Sequence, residues 1–246
     1  MLQDPLQVLQ AAARPAPSVG KPRLLIAGAT GVLGNEVLRR LVGSGHYASA
    51  QVLAREPMTD GLRGVQTQVV PDAEPRDWPL AQVDVAVVLF DPPRLFYDRE
   101  RALWTPAPRQ LVALARWLRA SGVRTLAVVL PHVPGRLPEA LKRGLSSLDE
   151  QAVASLGFER FLLLRSAQPP GGQVERSSPA RLAHWMLGIF KYMIPSSEQP
   201  VRALKVAQLL AVALRLAPPG IHVAAPDLVW RAAQGDTDTV AREWLA

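Results

Sequence analysis

The chain is expected to fold as an α/β domain around a doubly wound parallel sheet, and three observations predict it. Along the 246 residues, short apolar runs of strand length alternate with stretches whose apolar residues recur at helical spacing. The first run, Leu24-Leu25-Ile26-Ala27, is apolar without a break, as in a central strand covered on both faces. It leads directly into Gly28, Gly31 and Gly34, and then into a helical stripe of Val37, Leu38, Leu41 and Val42.

Strand, glycine turn and helix in that order make a site for a pyrophosphate. Backbone N–H groups at a helix N-terminus point at such a ligand, and the helix dipole favours its charge. Glycine at these positions lets the backbone approach closely, and the third glycine lets the helix pack on its strand. The turn is therefore expected to hold a dinucleotide through Gly28, Thr30, Gly31, Val32, Leu33 and Gly34.

The remaining elements follow in order. Gly43-Ser44-Gly45 stops the first helix, and Gln51 to Ala54 reads as a second strand ending at Arg55. An acidic residue about 20 positions beyond the glycines would take the ribose hydroxyls of NAD, whereas an Arg there accommodates the 2′-phosphate of NADP. Arg55 lies 21 residues after Gly34, so NADP is favoured, with NAD still open because Glu56 follows; an ordinary surface arginine is the plainer alternative. Val65 to Val70 is a third strand, closed by Pro71-Asp72. Val83 to Phe90 is the strongest strand of all. Its end should face the same ligand, which makes Leu89, Phe90 and Asp91 further contacts.

A Pro-rich loop is expected from Asp91 to Pro108, then a helix from Arg109 to Ser121 and a strand from Arg124 to Leu130. Leu141, Leu145, Leu148, Ala152 and Leu156 make a helical stripe ending at Gly157, and Phe161 to Leu164 is a sixth strand. After Pro169-Pro170-Gly171-Gly172, a helix starts at Ser177-Ser178-Pro179 with an apolar stripe of Leu182, Trp185, Met186, Ile189 and Met193. That stripe is either core or a dimer face or lid over an apolar ligand. A helix over Leu204 to Leu216 and a last strand at Ile221 to Ala224 complete the reading.

Composition narrows the classes. Cysteine is absent, which excludes disulfides and thiolate chemistry. The net charge of +7 comes from 24 Arg and four Lys spread along the chain, so a nucleic-acid partner is not expected. The densest group, Arg94, Arg99, Arg101, Arg109, Arg116 and Arg119, reads as a solvated helix face. No run reaches membrane-spanning length and residues 1–20 do not resemble a secretory leader, so a cytoplasmic protein is expected, with a flexible tail and one domain over 21–246.

Gly28-Ala29-Thr30-Gly31-Val32-Leu33-Gly34 resembles the cofactor loop of extended and atypical short-chain dehydrogenases/reductases, in particular the NmrA-like and Tat-interacting-protein-like NAD(P)-binding proteins. Glu150, Leu156-Gly157-Phe158 and Leu163-Leu164-Arg165 resemble further landmarks of that group, with Ser166 where it has Pro. The resemblance covers Lys21 to about Arg165. It implies a Rossmann-type fold, a small C-terminal segment from 168 to 246 covering substrate or partner, and an NADP-selecting role for Arg55. It also implies an acidic contact near the adenine at Asp72, which reads equally well as a turn residue.

Members with activity use a Tyr and a Lys four residues later as proton donor and its activator. Here Tyr47, Tyr97 and Tyr192 are followed at the fourth position by Gln51, Arg101 and Ser196. Counting back from the landmarks, Lys142 and Ser146 stand where Tyr and Lys belong, and Leu130-Pro131-His132 stands where the group has its Ser. No catalytic residue is assigned, although His132 and Lys142 are the groups that acid/base chemistry could use. The sequence thus leads to an NADP(H)-binding protein without the usual catalytic set, acting through a protein partner or a homodimer. An NADPH-dependent oxidoreductase with unorthodox residues, acting on a small carbonyl or quinone, and a scaffold that has lost the cofactor are its rivals.

Overall fold

Alternate side chains along each strand point to opposite faces, and the apolar runs of this chain are long enough to cover both. In the computed structural model, which describes residues 20–58, 64–71, 74–94, 97–132, 144–167 and 201–246, they form a seven-stranded parallel sheet. The strands are β1 (Arg23–Ala27), β2 (Ser49–Ala54), β3 (Val65–Val69), β4 (Val85–Leu89), β5 (Thr125–His132), β6 (Arg160–Ala167) and β7 (Gly220–Ala224). Their order is β3-β2-β1-β4-β5-β6-β7, so the connections reverse direction between β1 and β4. That reversal opens a crevice at the carboxyl ends of those two strands, the usual ligand position of such sheets.

Helices cover the two faces. Leu24 and Ile26 of β1, with Val85, Val87 and Leu89 of β4, face a core built with α1 (Gly31–Gly43) and three later helices. Leu25 and Ala27, with Ala86 and Val88, face the other core, against α3 (Leu111–Ala120) and α4 (Leu148–Ala154). Each such buried leucine contributes about 1.5–3 kcal/mol of transfer free energy, which is what holds the period-two register.

Several boundaries differ from expectation for local reasons. Strands β5 and β6 run on to His132 and Ala167 because Leu130, Pro131 and His132 stay paired with Arg165, Ser166 and Ala167. The stripe from Leu141 gives a helix only from Leu148, where the Ser147 hydroxyl caps it by accepting from Glu150 N at 3.2 Å. The Pro-rich loop contains a short helix, α2 (Asp98–Ala102), because its prolines flank this piece and do not interrupt it.

Residues 201–246 are integral to the domain. Helix α5 (Ala203–Leu216) packs on α1, and β7 extends the sheet beside β6. Two further helices, α6 (Pro226–Gln234) and α7 (Thr237–Leu245), were not expected. Both carry readable start signals, Pro226 in the first turn and an Asp236 cap that accepts from Thr239 N at 3.0 Å. The expected helix after Ser177 lies outside the described residues.

Candidate functional site

The glycine turn has the backbone that the sequence implies. Gly28 sits at φ +82°, and a Cβ there would lie 2.1 Å from the Leu89 carbonyl oxygen, so β1 and β4 can come together only at a glycine. Gly31 opens α1 at φ +67°, where a Cβ would meet the Asp91 side chain at 2.8 Å. The close approach reserved for a ligand is here made by the protein itself.

Three of the first amides of α1, those of Gly31, Leu33 and Gly34, are already satisfied. Thr30 is the N-cap residue, but its hydroxyl donates to the Asp91 carbonyl at 2.5 Å and does not cap the helix. In its place two carboxylates arrive from the segment after β4. Gly31 N donates to Glu100 Oε2 at 3.0 Å, and Leu33 N donates to Asp91 Oδ2 at 3.2 Å. Gly34 N donates to the Thr30 carbonyl at 3.0 Å. Carboxylates at a helix N-terminus gain from the dipole as a phosphate would, so the chain has answered the anion site from within.

Glu100 is held from every side. Asn35 Nδ2 donates to its Oε1 at 2.7 Å, Arg94 N to its Oε2 at 2.9 Å, and Arg94 Nε to Oε1 at 2.7 Å, while Arg94 Nη2 bonds Oε1 as well. Glu100 is 3% exposed. Burial alone would raise its pKa, but the hydrogen bonds from Arg94, Gly31 and Asn35 outweigh burial and hold it below the ordinary carboxylate value. Arg94 in turn lies over the Tyr97 ring at 3.8 Å, which ties the start of α2 to the same knot.

The segment then crosses the ends of β1 and β2. Arg55 N donates to the Ala102 carbonyl at 2.8 Å, Trp104 N to the Leu53 carbonyl at 2.9 Å, and Gly28 N to the Trp104 carbonyl at 3.3 Å, with an antiparallel bridge between Ala54 and Leu103. Trp104 packs edge-on to Trp78 at 4.9 Å, and Trp78 edge-on to Trp117 at 5.3 Å. Residues 102–104 thus run beside the carboxyl ends of β1 and β2, the side of the sheet on which such folds bind ligands. Two of the amides that such a site would offer a pyrophosphate, Gly31 N and Leu33 N, already bond carboxylates of the chain itself.

The expected contacts distribute accordingly. Gly28, Thr30, Gly31 and Gly34 meet in the turn; Leu33 is buried, and Val32 is 59% exposed beside it. Leu89 is fully buried against Gly28, and Phe90 packs on the second core. Arg55 is exposed at the end of β2, with its backbone paired to the segment. Asp72, Lys142 and Tyr192 lie outside the described residues, as does the side chain of His132. Glu100 was not singled out by sequence because it sits in the charged run Asp98 to Arg101, which reads as a solvated turn, and its partners are up to 69 positions away.

Ser146, at the expected Lys position, belongs to a buried polar knot. Arg165 Nη2 donates to Glu150 Oε2 at 2.7 Å, to Ser146 Oγ at 3.1 Å and to the Gly144 carbonyl at 2.8 Å. The two charged side chains are 2% and 5% exposed. The landmarks Glu150 and Arg165 are thus each other's counterion, and Ser146 completes the pair.

No family model and no curated protein matches the chain. Among solved structures it is similar to a Rossmann-fold NAD(P)-binding family protein from Shigella flexneri, at 16% identity over 80% of this chain and 88% of that one, with a TM-score of 0.48. It is also similar to the Bordetella bronchiseptica enzyme WbmG in complex with NAD, at 13% identity, 90% and 81% coverage and a TM-score of 0.43. A third is UDP-N-acetylglucosamine 4-epimerase from Bacillus cereus, at 16% identity, 85% and 82% coverage and a TM-score of 0.44. The strand order and the strand, glycine turn and helix at its first crossover give this chain a Rossmann-type fold.

Proposed function

We propose that this chain is a non-enzymatic, regulatory Rossmann-fold protein whose dinucleotide crevice is kept shut by its own residues 91–94 and 97–104, and that NADP(H) gains access only when they move. The observation that carries this reading is the pair of carboxylates, Glu100 and Asp91, hydrogen-bonded to the first amides of α1. Gly31 N and Leu33 N carry these carboxylates, so a cofactor using the same amides competes with the segment for them. If closure is worth about 3 kcal/mol, apparent dinucleotide affinity falls by roughly 150-fold, and anything that binds the open form gains by the same factor. Occupancy of the crevice is then coupled to the position of α2 and Trp104, which is the two-state element a regulatory protein requires.

The residues that stand at the usual Tyr and Lys positions, Lys142 and Ser146, support the non-enzymatic half of the proposal. Ser146, where an activating Lys would stand, is committed to Glu150 and Arg165. General acid catalysis contributes roughly 10²- to 10⁴-fold, and a carbonyl reduced at this crevice would go without it. A screen of aldehydes, ketones and quinones with NADPH is expected to give no turnover above background. Robust turnover lost in His132→Ala or Lys142→Ala would overturn this reading in favour of an oxidoreductase with rearranged residues.

A further inference from the structure

The opposite end of the sheet carries a second concavity. It opens at the amino ends of the strands, beside Pro22 ahead of β1, Val85 at the start of β4 and Arg160 at the start of β6, and it is closed by the C-terminal ends of α1 and α5. Its volume is about 620 Å³, within the roughly 300–1,000 Å³ of small-molecule sites. Four arginines line it, Arg39, Arg40, Arg160 and Arg215, against one carboxylate, Asp238.

The charges do not cancel among themselves. Asp238 takes Arg215 at 3.0 Å, and Arg39 reaches Glu36 at 3.4 Å. Neither Arg40 nor Arg160 has a carboxylate within ion-pair distance among the described residues. Arg160 is held in place from behind: its Nε donates at 2.9 Å to the hydroxyl of Thr125, which is buried, and this leaves both Nη groups without a hydrogen-bond partner among the described residues. Tyr47 packs its ring on the first core and lines the same cavity, and its hydroxyl has no partner there either. Burial pushes the phenol up to about 12 against the opposing pull of Arg160, so at neutral pH it is an O–H donor.

Arginines at helix C-termini commonly answer the helix dipole, and that explains Arg40 and Arg215. It does not explain Arg160, which opens a strand, nor a donor phenol left without an acceptor among the described residues. We propose that this cavity is a binding site for a small organic phosphate, whose oxygens take the forks of Arg160 and Arg40 and the Tyr47 hydroxyl, and whose body lies on the apolar floor of Leu41, Val85 and Val212. Planar guanidinium forks match phosphate oxygens in pairs. The concave shape selects a small molecule, because a polynucleotide backbone needs an extended track. The carbonyl ends of α1 and α5 oppose an anion here, which is why more than one arginine is needed.

The test is calorimetric titration of the full chain with glycerol phosphate and with inorganic phosphate at constant ionic strength. Arg160→Gln and Arg40→Gln are each expected to weaken binding by at least about tenfold, since each removes a hydrogen bond between charged groups. Tyr47→Phe should weaken it a few fold, and Arg76→Gln, an exposed arginine outside the cavity, should leave it unchanged. Arg40 is exposed, so its variant keeps the test valid if Arg160→Gln fails to fold. The proposal is overturned by no binding at millimolar phosphate ester, by equal losses in Arg76→Gln, or by a single-stranded oligonucleotide binding in preference to glycerol phosphate. It is overturned equally if Glu100→Ala raises phosphate binding while Arg160→Gln leaves it intact, because the anion would then sit at the glycine turn.

Discussion

The two ends of the sheet treat charge in opposite ways. At the carboxyl ends, where the helix dipole of α1 offers an anion site, the protein has supplied its own anions, and Glu100 and Asp91 are buried or half-buried with their partners in place. At the amino ends, where helix carbonyls disfavour an anion, Arg40 and Arg160 are left without carboxylates among the described residues, around a cavity of ligand size. A motif says where a ligand could be bound, and the hydrogen-bond inventory around it says whether the donors are still to be had. At the glycine turn Gly31 N and Leu33 N are already engaged; the arginine cavity has no motif, and Arg40 and Arg160 have no carboxylate partner among the described residues.

The largest expected effect tests whether the carboxyl side is built for structure. Glu150→Ala leaves Arg165 charged and buried, and urea unfolding should record a loss of about 3–5 kcal/mol. A loss under about 1 kcal/mol, typical of surface pairs, would mean that the knot is not closed and that Ser146 is available for other work.

Acidification separates the ends next. Glu100 titrates below the ordinary value in the folded state, so its contribution is complete above the unfolded carboxylate value of about 4.3 and fades as pH falls through the lower folded value. The segment should therefore stay closed from neutral pH down to about pH 5 and loosen below about pH 4. The reporter is Trp104, 9% exposed among its aromatic neighbours. A red shift of tryptophan emission on acidification that is absent in Trp104→Phe supports the closed segment, whereas the same transition centred near neutral pH contradicts it.

The smallest effect belongs to the amino end. Arg215→Gln removes a half-exposed pair with Asp238, and thermal unfolding should shift by less than about 1 kcal/mol. A larger loss would make the arginines of the cavity structural staples and blunt the contrast between the two ends.

Much of the architecture was legible because it rests on local pattern. Leu24 to Ala27 and Val85 to Leu89 read as strands since both faces are buried, and Gly28 to Gly34 read as a turn into a helix since only glycine tolerates the approach of Leu89 and Asp91. The state of the turn was not legible. Its occupant comes from the charged run after Tyr97, whose pairing with Leu53 to Arg55 joins residues about 50 apart and leaves no periodic trace. The prolines at 92, 93, 106 and 108 pointed to a loop when they bracket a folded piece. The arginine cavity escaped for the same reason, because Arg40, Arg160 and Arg215 are brought together by the packing of α5 on α1 over the sheet.

The central claim, that the chain closes its own dinucleotide crevice, is tested most directly by titrating NADPH into the wild-type protein and into an Asp91→Ala/Glu100→Ala double variant while following heat and Trp104 emission. The account predicts binding no tighter than millimolar for the wild type. For the double variant it predicts an affinity raised by at least tenfold, about 1.4 kcal/mol, accompanied by exposure of Trp104. Micromolar binding by the wild type with Trp104 emission unchanged would contradict it, because the cofactor would then share the crevice with a segment that the hydrogen bonds of Glu100 and Asp91 hold in its place.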